Sequence, residues 1–332
     1  MDLLQTNIKT VFRKYFIASF GGALVICAYS LVDSIMVGQY EGANGAAALA
    51  TVMPVWNIIL SLGLLFGIGG GVWLSTARGR GQKDEGNQFY TCAVISVVLI
   101  SFLVCGLIFL FSGPLLRLFG ANDTLLPLAQ GYLKWIRYAI PLFMVGQALM
   151  AFIRNDGAPA LASAAVIAGG IFNVVGDYYF IFVQDMGIEG AGLATALGQL
   201  IAFLILCSHF FSKRCGLQFV RPHGWLAKLR QILFAGFSTF IVDVAMAVII
   251  LLFNRQIMFY FDANVLAIYG VICNIVMTVQ AFAYAVGQAA QPIISVNFGA
   301  GRYERVNAMR SLSFVAALSL GLLAMVLTIA FP

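Results

Sequence analysis

Two acidic side chains and two neutral oxygen donors stand out because they fall inside long apolar stretches. Asn173 and Asp177 are four residues apart, so on a helix their side chains share one face. Thr195 and Asp33 lie in two further apolar stretches. A carboxylate there costs about 2.5–3.5 kcal/mol on insertion scales unless it faces a cavity, a partner or an ion. We therefore expect these four residues to form a cation site within a membrane.

The oxygen-only chemistry of this set predicts which ions it can hold. Carboxylate, amide and hydroxyl oxygens are the ligands that hard cations prefer, whereas soft metals prefer sulfur. If no metal cation binds, burial favours the protonated carboxyl instead. Na⁺ and H⁺ both remain open as the coupling ion, and we expect no cofactor and no other metal.

Further polar and aromatic residues at membrane depth predict a cavity for cargo. Sparse polar groups among aromatic and methionine side chains are typical of adaptable pockets for amphipathic ligands. The candidate cavity residues are Tyr29, Asn57, Gln147, Gln199, Asn274 and Tyr284. A third acid at membrane depth, Asp243, lies further along the chain, and its role is open.

The composition explains why these groups need a membrane setting. Hydrophobic residues make up 61% and charged residues 10% of the 332 positions, against about 45–50% and 25% in soluble proteins. This is the composition of an integral membrane protein. The net charge of +6 comes from basic residues in short loops, which indicates topology signals rather than a nucleic-acid surface. We expect membrane lipid, and no nucleic acid, as a partner.

The apolar stretches predict an all-α, polytopic bundle of nine membrane helices. A complete six-helix N-lobe, residues 1–212, is followed by a cytoplasmic loop at 213–229 and a partial C-lobe of three helices, 230–332. Fifteen of the 19 Lys and Arg residues fall on the side of the N-terminus, so the positive-inside rule places that terminus in the cytoplasm. The predicted spans are 16–37, 49–75, 89–112, 132–153, 159–182, 190–211, 230–259, 264–294 and 308–331.

An offset of 220 positions aligns the two lobes and predicts an internal repeat. It places Gly79 on Gly299 and Ser75 on Ser295, among other matches. The paired glycines fall in the loop after the second helix of each lobe, which chance explains poorly. Because six helices restore the same orientation, the repeat would be parallel, about an axis along the membrane normal.

Several short segments resemble the motifs of one transporter family. Residues 31–38 (LVDSIMVG) are similar to its first-helix motif, 77–81 (ARGRG) to its basic loop after helix two, and 153–159 (IRNDGAP) to a later loop. Residues 172–177 and 192–195 match its Asn, Asp and Thr in order and spacing. On these residues the chain resembles the multidrug and toxic compound extrusion (MATE) family, in its DNA-damage-inducible-F-like and archaeal-like branch.

The resemblance implies a two-lobed helix bundle that exports organic cations in exchange for Na⁺ or H⁺ by alternating access. It implies that Asp33, Asn173, Asp177 and Thr195 bind the coupling cation, and that the protein is not an enzyme. We expect a monomer in a bacterial or archaeal plasma membrane, with small amphipathic organic cations as cargo. Members of the family have twelve helices, so a chain of nine would lack the last three.

Three alternatives to drug export are open from the sequence. A flippase for lipid-linked precursors shares the fold but needs cationic side chains in its cavity. No Lys or Arg lies in the middle of a predicted span, which counts against a flippase. A membrane-embedded enzyme needs His, Asp or Ser clustered at a membrane face, and the sequence indicates no such cluster. A fragment without transport activity is favoured only by the missing helices.

Overall fold

The computed structural model describes residues 3–330, and within them every regular element is a helix. Backbone amides in lipid have no water to bond, so helices, which satisfy their own amides, are the expected element. In chain order these are α1 (Ile8–Gly79), α2 (Lys83–Leu118), α3 (Leu125–Asn155), α4 (Pro159–Asp177), α5 (Gly187–Cys207), α6 (Trp225–Tyr260), α7 (Ala263–Gly299) and α8 (Tyr303–Ala330). Short π-helical and 3₁₀-helical turns, Tyr178–Val183 and Ser208–Phe211, extend α4 and α5.

Eight helices in the described part of the chain are long and apolar enough to cross a membrane, one fewer than predicted. The difference lies in α1, whose 72 residues contain the first two predicted spans. A straight helix of that length would measure about 108 Å, far beyond an apolar core of about 30 Å. Gly42 breaks it with a non-helical backbone (φ 69°, ψ −156°), which glycine adopts without strain. We name the two arms α1N (8–41) and α1C (43–79).

The arms of α1 are central to the bundle, because they contact α2, α3, α4, α6 and α7. One buried apolar cluster extends through α1C, α2 and α3 and includes Ile59, Phe89 and Ile140. A second joins the start of α1N to α7 and α8, through residues such as Phe12 and Ile293. The first arm therefore ties the two predicted lobes together at the predicted cytoplasmic end.

The crossing of α1C and α7 follows the offset of 220 seen in the sequence. A Cβ atom added at Gly79 would overlap the carbonyl oxygen of Val296, and one added at Gly299 would overlap that of Thr76. The same offset pairs Thr76 with Val296, so the two contacts are reciprocal. Glycine allows two helix backbones to approach this closely because it has no side chain. A larger residue at either glycine would push the helices apart.

The connection between α5 and α6 differs from the predicted loop at its C-terminal side. α6 begins at Trp225, inside the predicted 213–229, directly after Gly224 in a left-handed conformation. Backbone amides of the connection bond to side chains near the start of α2, in the pairs Gln218–Asn87, Val220–Thr91 and His223–Gln88. The connection is therefore fastened to α2, while the division of the chain into lobes stays a prediction.

Candidate functional site

The four residues predicted to bind a cation lie close together between α1N, α4 and α5. Asp177 is completely buried, and Asn173, Asp33 and Thr195 are 3%, 8% and 8% exposed. Asn173 donates its amide to Thr195 Oγ1 at 3.0 Å and, at longer range, to Asp177 Oδ1 at 3.5 Å. The pairing of Asn173 with Asp177 follows from their spacing in α4. The contact with Thr195 requires the packing of α4 against α5.

Tyr132 of α3 also belongs to the site, and sequence reasoning missed it. Its hydroxyl donates to Asp33 Oδ2 at 3.1 Å, across 99 positions of the chain. Apolar periodicity in α3, through Ile136 and Phe143, could have placed Tyr132 on a buried face. No spacing within the sequence indicates which other helix that face meets.

Three buried oxygen atoms of the site have no hydrogen-bond donor among the described residues: Asp33 Oδ1, Asn173 Oδ1 and Asp177 Oδ2. The two carboxylates interact electrostatically with each other. The ion pairs found within residues 3–330 involve neither of them. Unpaired buried acceptors are rare because each costs about 1–3 kcal/mol. A proton or small hard cation between these oxygens would remove that cost, so the donor set fits such an ion.

The site lies at the edge of a cavity system. Asp33 and Thr195 border a small cavity of about 80 Å³, and Asp177 lies out of contact with it. Tyr29 and Asn274 belong both to this wall and to that of a larger cavity of about 250 Å³. The larger cavity is lined by all six predicted cavity residues, Tyr29, Asn57, Gln147, Gln199, Asn274 and Tyr284. Their role in binding cargo stays a prediction.

Asp243 of α6 lines the larger cavity from the predicted C-lobe. Its Oδ1 accepts hydrogen bonds from the Tyr284 hydroxyl at 2.5 Å and from Gln280 Nε2 at 3.2 Å. Both donors are on α7, four residues apart, and therefore share a face. Within residues 3–330, Asp243 thus accepts hydrogen bonds from two neutral donors. Asp33 has one donor at an ordinary hydrogen-bond distance, and Asp177 has none.

One cationic side chain also lines the larger cavity. Arg154 belongs to the last turn of α3 and is 7% exposed. Helical side chains point back toward the N-terminus of their helix, so a long side chain at the C-terminal end covers the preceding turn. Its Nη2 accordingly lies 3.1 Å from the sulfur of Met150. Arg154 directly follows the predicted span 132–153, so the absence of Lys and Arg from the middle of the spans does not exclude a cationic side chain from the cavity wall.

Away from the cavity, the structure gathers Asp156, His209 and Cys215, a cluster that the sequence did not indicate. Their potential ligand atoms lie within 4.8 Å of one another. Asp156 is already bonded to Arg78 (2.6 Å), His209 (2.7 Å) and the Gly216 amide (2.9 Å). Burial raises the pKa of the Cys215 thiol, whereas a metal ligand or nucleophile needs the thiolate. Asp156 therefore links the end of α3 to His209 and to the connection that leads to α6.

Known proteins resemble this chain in sequence. A family model described as MatE matches residues 18–179 and 239–332. Multidrug export protein MepA of Staphylococcus saprophyticus is 24% identical over 293 residues, 87% of this chain and 64% of that protein. MepA of Staphylococcus aureus strain MSSA476 is 24% identical over 285 residues, 85% of this chain and 62% of that protein. The chain thus spans less than two thirds of the length of these curated relatives.

The fold also has counterparts among solved structures. A structure of the MATE multidrug transporter DinF-BH gives a TM-score of 0.88 at 24% identity, covering 98% of this chain and 75% of that chain. A structure of MATE in the straight conformation gives 0.84 at 20% identity, covering 99% and 73%. At such identities the likeness shows a shared fold.

Proposed function

This chain belongs to the MatE family, and from that premise we propose that it exports small amphipathic organic cations in exchange for Na⁺ or H⁺. It is an integral membrane protein with several helices that can cross the bilayer. The sequence relatives carry the name of a multidrug exporter, which favours drug efflux over the flipping of lipid-linked precursors.

This proposal rests on the three buried oxygens that have no hydrogen-bond donor among the described residues, at a site that borders a cavity. In it Asp33 and Asp177 hold the exchangeable charge, and Asn173 and Thr195 supply neutral oxygens. Asp33 borders the cavity, so it is the acid that an ion entering from the cavity meets first. Asp177, which is fully buried and does not line the cavity, would then stabilise the bound ion from the side away from the cavity.

Exchange would follow from the charge of this site. A bound proton or cation neutralises part of the negative charge, and its release leaves two carboxylates in apolar surroundings. A cationic cargo in the adjoining cavity would stabilise that released state through its own charge. Cargo would therefore favour the state of the protein from which the ion has left, and the coupling ion would favour the ion-bound state. Opposed preferences of this kind are what antiport by alternating access requires.

We further propose a bacterial or archaeal plasma membrane as the location, with the N-terminus in the cytoplasm, because basic residues concentrate on that side. The proposed partners are the organic cation, membrane lipid and the coupling ion. In this proposal the protein works as a monomer, without a cofactor and without nucleic acid.

The test is efflux of ethidium from vesicles that contain the purified chain, under a Na⁺ gradient at equal pH and, separately, under a pH gradient without Na⁺. We expect one of the two gradients to drive efflux and Asp177→Asn to remove that response. Asp123→Asn is the matched control, because this acid is exposed, lies in a loop and does not line either cavity. If neither gradient drives efflux in the unchanged chain, secondary transport by this chain is excluded.

A further inference from the structure

Arg154 is a buried cation with no anionic partner in the part of the chain that the structure describes. The ion pairs among the described residues are Arg78–Asp156, Arg117–Asp123, Lys134–Glu189 and His209–Asp156, so Arg154 is in none of them. Within residues 3–330 its Nε is buried and lacks an acceptor, and its Nη2 contacts only the Met150 sulfur, a weak acceptor. Asp156, two positions along the chain, is already bonded to other groups. A guanidinium so enclosed is costly unless something pairs with it.

Arg154 lines a space that a ligand could fill. Arg154 lines the cavity of about 250 Å³ and also an adjoining one of about 220 Å³. The two cavities share Tyr284 and Gln288 in their walls. The side-chain amide of Gln288 makes no hydrogen bond within the described chain, so it is available to a ligand as well. A guanidinium and an amide on the walls of the same two cavities are donors suited to an anionic oxygen group.

Asp243 is the acidic residue in the wall of the same cavity, but among the described residues Asp243 and Arg154 do not form an ion pair. Asp243 is bonded to Tyr284 and Gln280, and both charged residues line the cavity wall separately. A cavity with one cationic and one anionic group on its wall is complementary to a molecule that carries both charges. Aromatic and apolar residues, Trp56 and Phe143 among them, complete the wall and suit the rest of an amphipathic molecule.

We propose that Arg154 is the anion-binding residue of this cavity. It binds an anionic oxygen group, a carboxylate, sulfonate or phosphate, through its guanidinium, with Gln288 as an additional donor. The cavity therefore selects molecules that combine such a group with a cationic, aromatic body. This inference rests on the proposed export function for the identity of the ligand as cargo, and a lipid headgroup is the other source of the same chemistry.

The test compares two dyes that differ only at the group in question, rhodamine B, with a free carboxylate, and its ethyl ester. Binding to the purified full chain in dodecyl maltoside micelles, which contain no phosphate, is measured by fluorescence anisotropy, without any gradient. Arg154→Gln should weaken rhodamine B binding by about tenfold or more, the loss typical of one charge-assisted contact, and change ester binding by less than about twofold. Arg154→Lys should keep part of the preference, and Arg117→Gln, at an exposed arginine, should keep all of it.

The ester reports on folding, because a damaged cavity would bind both dyes less well. Equal weakening of both dyes, or unchanged binding of both, in Arg154→Gln would overturn the proposal. Phosphatidylglycerol added to the phosphate-free micelles separates the two sources of the anion. If lipid phosphate occupies the site, this lipid weakens rhodamine B binding in the unchanged chain and not in Arg154→Gln; if cargo occupies it, the lipid has no effect.

Failure of this inference and failure of the export proposal are distinguishable. Gradient-driven ethidium efflux with no carboxylate preference at Arg154 would reject only the anion site. A carboxylate preference that depends on Arg154, in a chain that exports nothing under either gradient, would leave the anion site standing and reject export.

Discussion

Asp177 and Asp243 are both carboxylates at membrane depth, yet their oxygens have different surroundings. Asp243 lines a cavity and accepts two hydrogen bonds from neutral donors of α7, at 2.5 Å and 3.2 Å. Asp177 is fully buried; among residues 3–330, one of its oxygens has no donor and the other has only a 3.5 Å contact with Asn173. Asp33, its neighbour, is in an intermediate position with a single donor, Tyr132.

This difference separates a carboxylate that the protein itself satisfies from one that needs a mobile ion. Neutral donors stabilise an ionised carboxylate without changing the net charge of its surroundings. Where two acids lack enough hydrogen-bond donors, only a proton or a cation can stabilise their buried oxygens. Those oxygens lose this stabilisation when the ion leaves. The first site is therefore suited to carry a coupling ion, and Asp243 is suited to contact a cationic cargo.

The strongest way to break this comparison is to remove the charge of each acid in the first site. Asp33→Asn and Asp177→Asn should each abolish coupled efflux, a fall of about a hundredfold or more, because a charge at membrane depth is worth a few kcal/mol and the amide cannot exchange it. Ethidium efflux and membrane insertion are measured together. Efflux at the unchanged rate in both variants would show that the first site does not couple.

Asp243→Asn should have a smaller effect. The amide oxygen can still accept from Tyr284, so the cavity wall keeps its shape, and only the attraction for a cationic cargo is lost. We expect efflux to fall by about three- to tenfold while its dependence on the coupling gradient stays unchanged. A loss as complete as that of Asp177→Asn would mean that both acids couple transport.

Thr195→Val removes a neutral oxygen and keeps the shape of the side chain. The Asn173 amide then loses its best acceptor, and the site loses a ligand. The concentration of coupling ion that gives half-maximal efflux should rise by about fivefold, the equivalent of about one hydrogen bond. Thr195→Ser, which keeps the hydroxyl, should stay close to the unchanged chain, and a similar loss there would assign the effect to packing.

Tyr132→Phe sharpens the comparison from the other side, because it removes the only donor to Asp33 found in the described part of the chain. The free carboxylate is destabilised while the ion-bound form is not, so the half-maximal concentration of coupling ion should fall by about two- to fivefold. The same titration measures it. A shift in the same direction as that of Thr195→Val would show that Tyr132 acts as a ligand and not as a donor to the free acid.

Much of the fold class and part of the site could be predicted from the chain because both depend on local pattern. Long apolar stretches predict helices in lipid, and a four-residue spacing predicts that Asn173 and Asp177 share a face. The helix count differed by one because the predicted spans 16–37 and 49–75 lie in one helical element, which is interrupted only by the backbone of Gly42. Hydropathy separates the two spans, but it does not show that the helix continues from one to the other apart from this one residue.

By itself, the sequence determined the membrane class, the oxygen-rich residues at membrane depth and the offset that pairs Gly79 with Gly299. Tertiary structure alone decided that Tyr132 donates to Asp33, that Arg154 points back into the cavity, and that Asp156 meets His209. The physical reason is that helix geometry relates residues within a few positions. Which faces of separate helices meet depends on the packing of the whole bundle.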